Sequence, residues 1–175
     1  MANIDIEAPG ADEADLKAAL RDLVGGFHVL AASAVAASIT GTTSETVLAT
    51  VSIPAGAIGP NGILRVTSQW SYTNSANNKI LRLRLGGLSG STFFDVTQTT
   101  TAVYVDLGRL IHNVNSNAAQ KSRGASVTGA GSTGTAHITR TVDTTVALDL
   151  VFTGQLANTG ETVTLESYVV ELLAA

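Results

Sequence analysis

A chain of 175 residues has room for one domain with its own core and little for a second. Charged residues make up 14% of it, against roughly 25% in an ordinary soluble domain, and 14 Ser, 23 Thr and 17 Gly fill the gap. That composition argues against a helical bundle, whose exposed faces carry Glu, Lys and Arg, and the lack of cysteine rules out disulfides and thiolate chemistry.

The net charge of −4 is unevenly laid out. Residues 1–33 hold six acids (Asp5, Glu7, Asp12, Glu13, Asp15 and Asp22) against Lys17 and Arg21, while the rest of the chain balances eight acids with eight bases. An acidic segment on a neutral body is the reverse of a nucleic-acid binder's layout. The opening residues carry neither a basic n-region nor a following apolar stretch, so no signal peptide is expected. The weakly polar stretch 27–39 is too short to cross a bilayer. The expectation is a chain made in the cytosol, with no nucleic-acid or membrane partner.

In chain order, Pro9-Gly10 closes the opening segment and a helix signal follows. Asp12 can cap, Asp15 lies three residues on, and Leu16, Ala19, Leu20, Leu23 and Val24 make an apolar stripe at helical spacing before Gly25-Gly26. A helix of about 13 residues is marginal alone, so its stripe must dock on something. From about Ala34 the period becomes two. Val47, Ala49, Val51 and Ile53 alternate with polar residues up to Pro54, and Leu64, Val66, Ser68 and Trp70 follow the turn Gly59-Pro60-Asn61-Gly62. Leu81, Leu83 and Leu85 alternate with Arg82 and Arg84. Strands are then expected around Thr92 to Thr97 and over Val103, Val105 and Leu107. Ala118 to Gly134 reads as a long loop. Strands resume with Thr135 to Val142, Val146 to Phe152 and Thr162 to Leu172.

Eight or nine short strands without an intervening helix indicate an all-β sandwich, and long crossings favour a jelly roll. The expected organisation is an acidic arm and helix over 1–33 and a jelly-roll body of about eight antiparallel strands over 34–175.

The chemistry-bearing residues are sparse. Gly129-Ala130-Gly131-Ser132-Thr133-Gly134 fits a dinucleotide-loop pattern but precedes a strand instead of opening a helix, so it reads as a loop. His28, His112 and His137 share no ligand spacing, and no serine sits in a nucleophile elbow. No catalytic residue, cofactor or metal is expected. Trp70 and Tyr72, beside the loop holding Asn74 and Asn77, could form a platform for a sugar. A core role for Trp70 is the stronger reading. Arg82 and Arg84 read as a cross-strand paired face.

Ser44 to Val66, Trp70 to Lys79 with Leu83-Arg84-Leu85-Gly86-Gly87, and Gly154 to Tyr168 resemble segments of tailed-bacteriophage virion proteins with jelly-roll domains. The resemblance spans roughly residues 38–173 and implies no catalytic residues. It implies an accessory capsid protein of the decoration, cement or head-fibre type, located on the virion and bound to the major capsid protein or another virion protein. The alternative it allows is a tail-fibre module recognising a bacterial surface glycan through Trp70, Tyr72, Asn74 and Asn77. The expected anchor is the arm, with Leu16, Leu20 and Leu23 buried against the partner and Asp12 and Asp22 facing basic groups. The last strand carries apolar residues on both faces, so Val170 and Leu172 are expected at a homo-oligomer interface, a trimer being favoured over a dimer.

Overall fold

The computed structural model describes residues 28–100, 102–123 and 137–173. The helix expected after Asp12, with Leu16, Leu20, Leu23 and Asp22, lies outside the described residues, as does the glycine-rich stretch 129–134.

The strands are β1 (His28–Ser33), β2 (Ala37–Ile39), β3 (Thr46–Ile53), β4 (Ile63–Tyr72), β5 (Lys79–Leu85) and β6 (Ser91–Gln98). They continue with β7 (Tyr104–Asn113), β8 (Gln120–Ser122), β9 (Ile138–Arg140), β10 (Leu148–Leu156) and β11 (Val163–Leu173). The larger sheet runs β1-β11-β4-β7-β8-β9, with β2 also on β11, and the smaller runs β3-β10-β5-β6. Eight strands remain once the three-residue pieces β2, β8 and β9 are set aside. Numbered among themselves in chain order, they run 1-8-3-6 in one sheet and 2-7-4-5 in the other. This is the jelly-roll-like double Greek key that the strand count suggests.

Alternation makes these strands and aims them. In β5, Lys79, Leu81, Leu83 and Leu85 are buried while Ile80, Arg82 and Arg84 are half-buried on the other face. In β4, Leu64, Val66, Ser68, Trp70 and Tyr72 face inward. The two inner faces enclose one core around Trp70, Phe93, Phe94 and Phe152, and each such side chain contributes about 1.5–3 kcal/mol by leaving water. Gly154 lets the sheets close: a Cβ there would stand 3.1 Å from Ile39 Cδ1 and 3.2 Å from Val163 Cγ1.

Three expectations need correction. The body begins at β1, ahead of the boundary read at 33/34, because His28 to Ser33 pair with β11. The stretch read as one loop from Ala118 contains β8, whose polar residues Gln120, Lys121 and Ser122 give no apolar alternation to detect. Val170 and Leu172 are not an interface. β11 lies between β1 and β4, and both residues are buried in the chain's own core, at 0% and 6% exposure. A bulge between Leu165 and Ser167 shifts the parity of β11. Val163 and Leu165 face inward before it, and Val170 and Leu172 do so after it.

Candidate functional site

The residues of the glycan reading do not meet at the surface. Trp70 is fully buried and donates its indole N–H to Ser68 Oγ at 2.9 Å. Its ring centroid lies 6.4 Å from that of Phe152, which stacks in turn on Tyr168. Tyr72 is buried as well, and its hydroxyl meets Gln98 Oε1 at 3.0 Å. Asn74 is exposed. Asn77 gives its amide to Glu161 Oε1 at 3.2 Å. The core reading of Trp70 therefore holds, and no aromatic platform accompanies the Asn-bearing loop. Arg82 and Arg84 are paired across the smaller sheet: Arg82 with Asp95 at 2.7 Å and Glu45 at 3.1 Å, Arg84 with Glu45 at 2.7 Å. Burial raises the Glu45 carboxyl, but bonds from Arg84 and Thr153 and the charges of both arginines outweigh it, leaving it below its ordinary value.

The two ends of the sandwich each hold a buried polar cluster. At the end where β4 finishes and β5 starts, Lys79 is completely buried. Its Nζ donates to the Ser75 carbonyl at 3.0 Å and to Ser75 Oγ at 2.9 Å, 3.8 Å from Glu161 Oε1. Glu161 also accepts from the Ser75 hydroxyl, which, with Asn77 and Lys79, holds its carboxyl below the ordinary value against the upward push of burial. At the opposite end, Asn113 donates to Gly59 O at 2.6 Å and to Thr144 Oγ1 at 2.9 Å, and accepts from Gln120 Nε2 at 2.9 Å. Gln120 completes the set through the Val142 backbone, bonding its carbonyl at 3.0 Å and its N–H at 2.8 Å. These bonds tie the β7–β8 corner to the segment before β10.

Beside this second cluster, on the larger sheet, a groove of about 800 Å³ is bordered by Arg65, Arg109, His112, Lys121, Arg123 and His137, with no acid among its described lining residues. β7 and β8 pair only at His112↔Lys121 and Asn113↔Gln120. Beyond that point a side chain takes the place of the ladder, and Arg123 donates to Gly108 O at 3.1 Å. Arg65 holds Glu171 in a two-point pair, 2.6 Å from Nε and 2.7 Å from Nη2. Arg109 is different. It stands at an inward position of β7 between Leu107 and Ile111, and it is 2% exposed.

The guanidinium of Arg109 lies over the Phe94 ring, 5.7 Å from its centroid. Nε reaches Phe93 O at 3.1 Å, on a bulge where β6 carries one residue more than β5. Nη1 reaches Gly108 O at 3.1 Å, and Nη2 has no partner among the described residues. Burial and then the charge of Arg123 lower the Arg109 pKa to about 10, so it stays cationic at neutral pH. Ser122 Oγ, also buried and also lining the groove, is unpartnered too. Both atoms are sealed from solvent, so each is a buried polar group left unpaired among the described residues beneath the cationic groove.

Sequence reasoning missed this groove, because its cations come from separate strands. One local signal was present: a base at an inward step of an apolar alternation, as in Leu107-Gly108-Arg109-Leu110-Ile111. His112 and His137 do border one groove. Among the described residues no group of three or more His, Cys, Asp or Glu could hold a metal ion, and no helix is long and apolar enough to cross a membrane.

No family model matches the chain, and no curated protein sequence does. Solved structures similar to it include the CBM2 module of the evolved Dit of Lactobacillus casei BL23 phage J-1, at 14% identity over 72% of this chain and 69% of that one, TM-score 0.39. The infectious bursal disease virus VP2 subviral particle is similar at 10% identity over 86% and 41%, TM-score 0.29. The Gx strain of that virus follows at 10% over 84% and 39%, TM-score 0.28. At these scores the likenesses carry no argument about function, and the fold rests on its own strand order.

Proposed function

We propose that the protein is a non-enzymatic structural component of a bacteriophage virion, an accessory capsid protein of the decoration, cement or head-fibre type. The observation that carries this reading is the double Greek key, 1-8-3-6 over 2-7-4-5, formed by the segments that resemble phage jelly-roll proteins. Jelly rolls build capsid and lectin domains alike, so the site must choose between them. The lectin-like alternative, a tail-fibre module, loses its aromatic platform because Trp70 and Tyr72 are buried.

In this reading the residues before β1 anchor the protein to the major capsid protein or another virion protein, and no nucleic acid, membrane, metal or cofactor takes part. A homo-oligomer remains part of the proposal. It would have to form elsewhere than at β11, with the strands that end each sheet, β1, β9, β3 and β6, as the available sites.

Immunogold labelling of intact virions tests the placement. Label spread over the head is the expected result, and label confined to the tail tip overturns the capsid assignment. A chain lacking residues 1–27 keeps β1 and should fold but fail to join particles. Its incorporation at normal copy number would remove the anchor.

A further inference from the structure

We propose that the outer edge of β3 is where two copies of this chain pair, strand against strand, about a two-fold axis at Val51. The inference rests on the homo-oligomer part of the proposed function and names its strand, partner and register. It does not need the virion placement.

The four strands that end the sheets are not equally open. In β6, two backbone carbonyls are taken by arginines of the larger sheet: Arg140 Nε donates to Thr92 O at 3.0 Å and Arg109 Nε to Phe93 O at 3.1 Å. β9 has three residues. β1 has six, broken by a bulge between Val29 and Ala31. β3 has eight, none of them charged, and its own bulge falls at Leu48, so Ala49 to Ile53 run unbroken. Short edges, charges and bulges are how sheets resist pairing with another chain. Among the described edges, β3 has the longest run without them.

Backbone direction sets the register. Asp149 O accepts from Gly86 and Gly87 N–H at 2.9 Å, so Asp149 turns toward β5 and its neighbours Leu148 and Leu150 turn toward β3. Their partners Ile53 and Val51 are thereby satisfied, and the N–H and C=O of Thr50 and Ser52 point away from β10. Both residues are exposed. Thr50 of one copy can face Ser52 of the other, and Ser52 its Thr50, each pair exchanging both bonds across the axis. The run ends at the bulge on one side and at Pro54, which has no N–H, on the other. A two-fold dimer requires such a self-complementary patch, and an uncharged run has nothing to select a foreign charged segment. β3 also packs beside β1 and β2. The same axis therefore brings the two β1–β2 links together, where Val35 is 82% exposed.

The chain has no cysteine, so cross-linking reads the register directly. Residues opposed in a hydrogen-bonded pair have Cα atoms about 5.5 Å apart, within disulfide reach, whereas diagonal ones stand about 7–8 Å apart. Oxidising a mixture of Thr50→Cys and Ser52→Cys chains should give at least about fivefold more covalent dimer than either chain alone. By light scattering at micromolar concentration the parent should have twice the 17.9 kDa of one chain. Thr50→Glu/Ser52→Glu should be a folded monomer, because like charges then oppose, and Thr50→Lys/Ser52→Glu should pair again. A Thr50→Glu/Ser52→Glu chain that stays dimeric, or a mixture that cross-links no better than its components, overturns the β3 interface and leaves a homo-oligomer to another edge. A monomeric parent overturns both.

Discussion

At one end of the sandwich Asn113, Gln120 and Thr144 bury neutral groups that bond one another and nearby backbone. At the other end Lys79 and Glu161 bury opposite charges around Ser75. Among the described residues both ends leave buried side-chain oxygens without a partner, Asn117 Oδ1 and Ser122 Oγ near the Asn113 cluster and Glu161 Oε2 in the Lys79 cluster. The difference lies in what a single loss exposes. An amide network that loses a member leaves neutral groups unpaired, at about 1–3 kcal/mol. An ion pair that loses one side strands a charge in a low-dielectric interior, which costs more.

The largest effect is therefore expected from Lys79→Met, a loss of about 3–5 kcal/mol in denaturant unfolding. The double change Lys79→Met/Glu161→Leu should recover most of it, since apolar replacement of a buried pair is often neutral. A double variant no more stable than the single one would show that packing, not stranded charge, sets the cost. Asn113→Ala comes next, at about 2 kcal/mol, because Gly59 O, Thr144 Oγ1 and Gln120 Nε2 all lose a partner.

Acid separates the ends without large substitutions. Because the folded Glu161 carboxyl lies below its ordinary value, its contribution is complete above that ordinary value. It disappears as pH falls through the folded one. Unfolding midpoints between neutral pH and pH near 3 should fall further in the parent than in Glu161→Gln. Asn113→Ala should follow the parent's pH profile at a lower level. Parallel profiles for the parent and Glu161→Gln would contradict the charged reading of that end. The smallest effect belongs to Lys121→Glu, exposed on the groove, with a stability change within about 0.5 kcal/mol.

Much of the architecture was legible because burial follows alternation. Leu81, Leu83 and Leu85 announce an inward face, and the turn Gly59-Pro60-Asn61-Gly62 marks where the next strand starts. β11 was misjudged for a physical reason: its bulge lets Val163 and Leu165, then Val170 and Leu172, all face the core, so a central strand looks apolar on two sides. β8 is too short and polar to show periodicity. The buried charges were visible in outline. Lys79 and Arg109 both interrupt inward-facing apolar rows, but which partners they meet depends on Ser75, Glu161 and the Phe93 bulge, brought together only by the fold. The groove had the least signal, since Arg65, Arg109 and the pair Lys121 and Arg123 come from three places along the chain.

One further consequence follows from the pairing of His28 with Leu172. The first and last described strands lie side by side and run in opposite directions, so the chain enters and leaves the larger sheet at the same corner. A pull between those two points would load the β1–β11 ladder one rung at a time, as a zipper opens. It would not strain every rung together, as shear along the strands does. A single molecule stretched from residue 28 against residue 173 should therefore yield at low force in its first step, shedding β1 while the paired interior of both sheets holds.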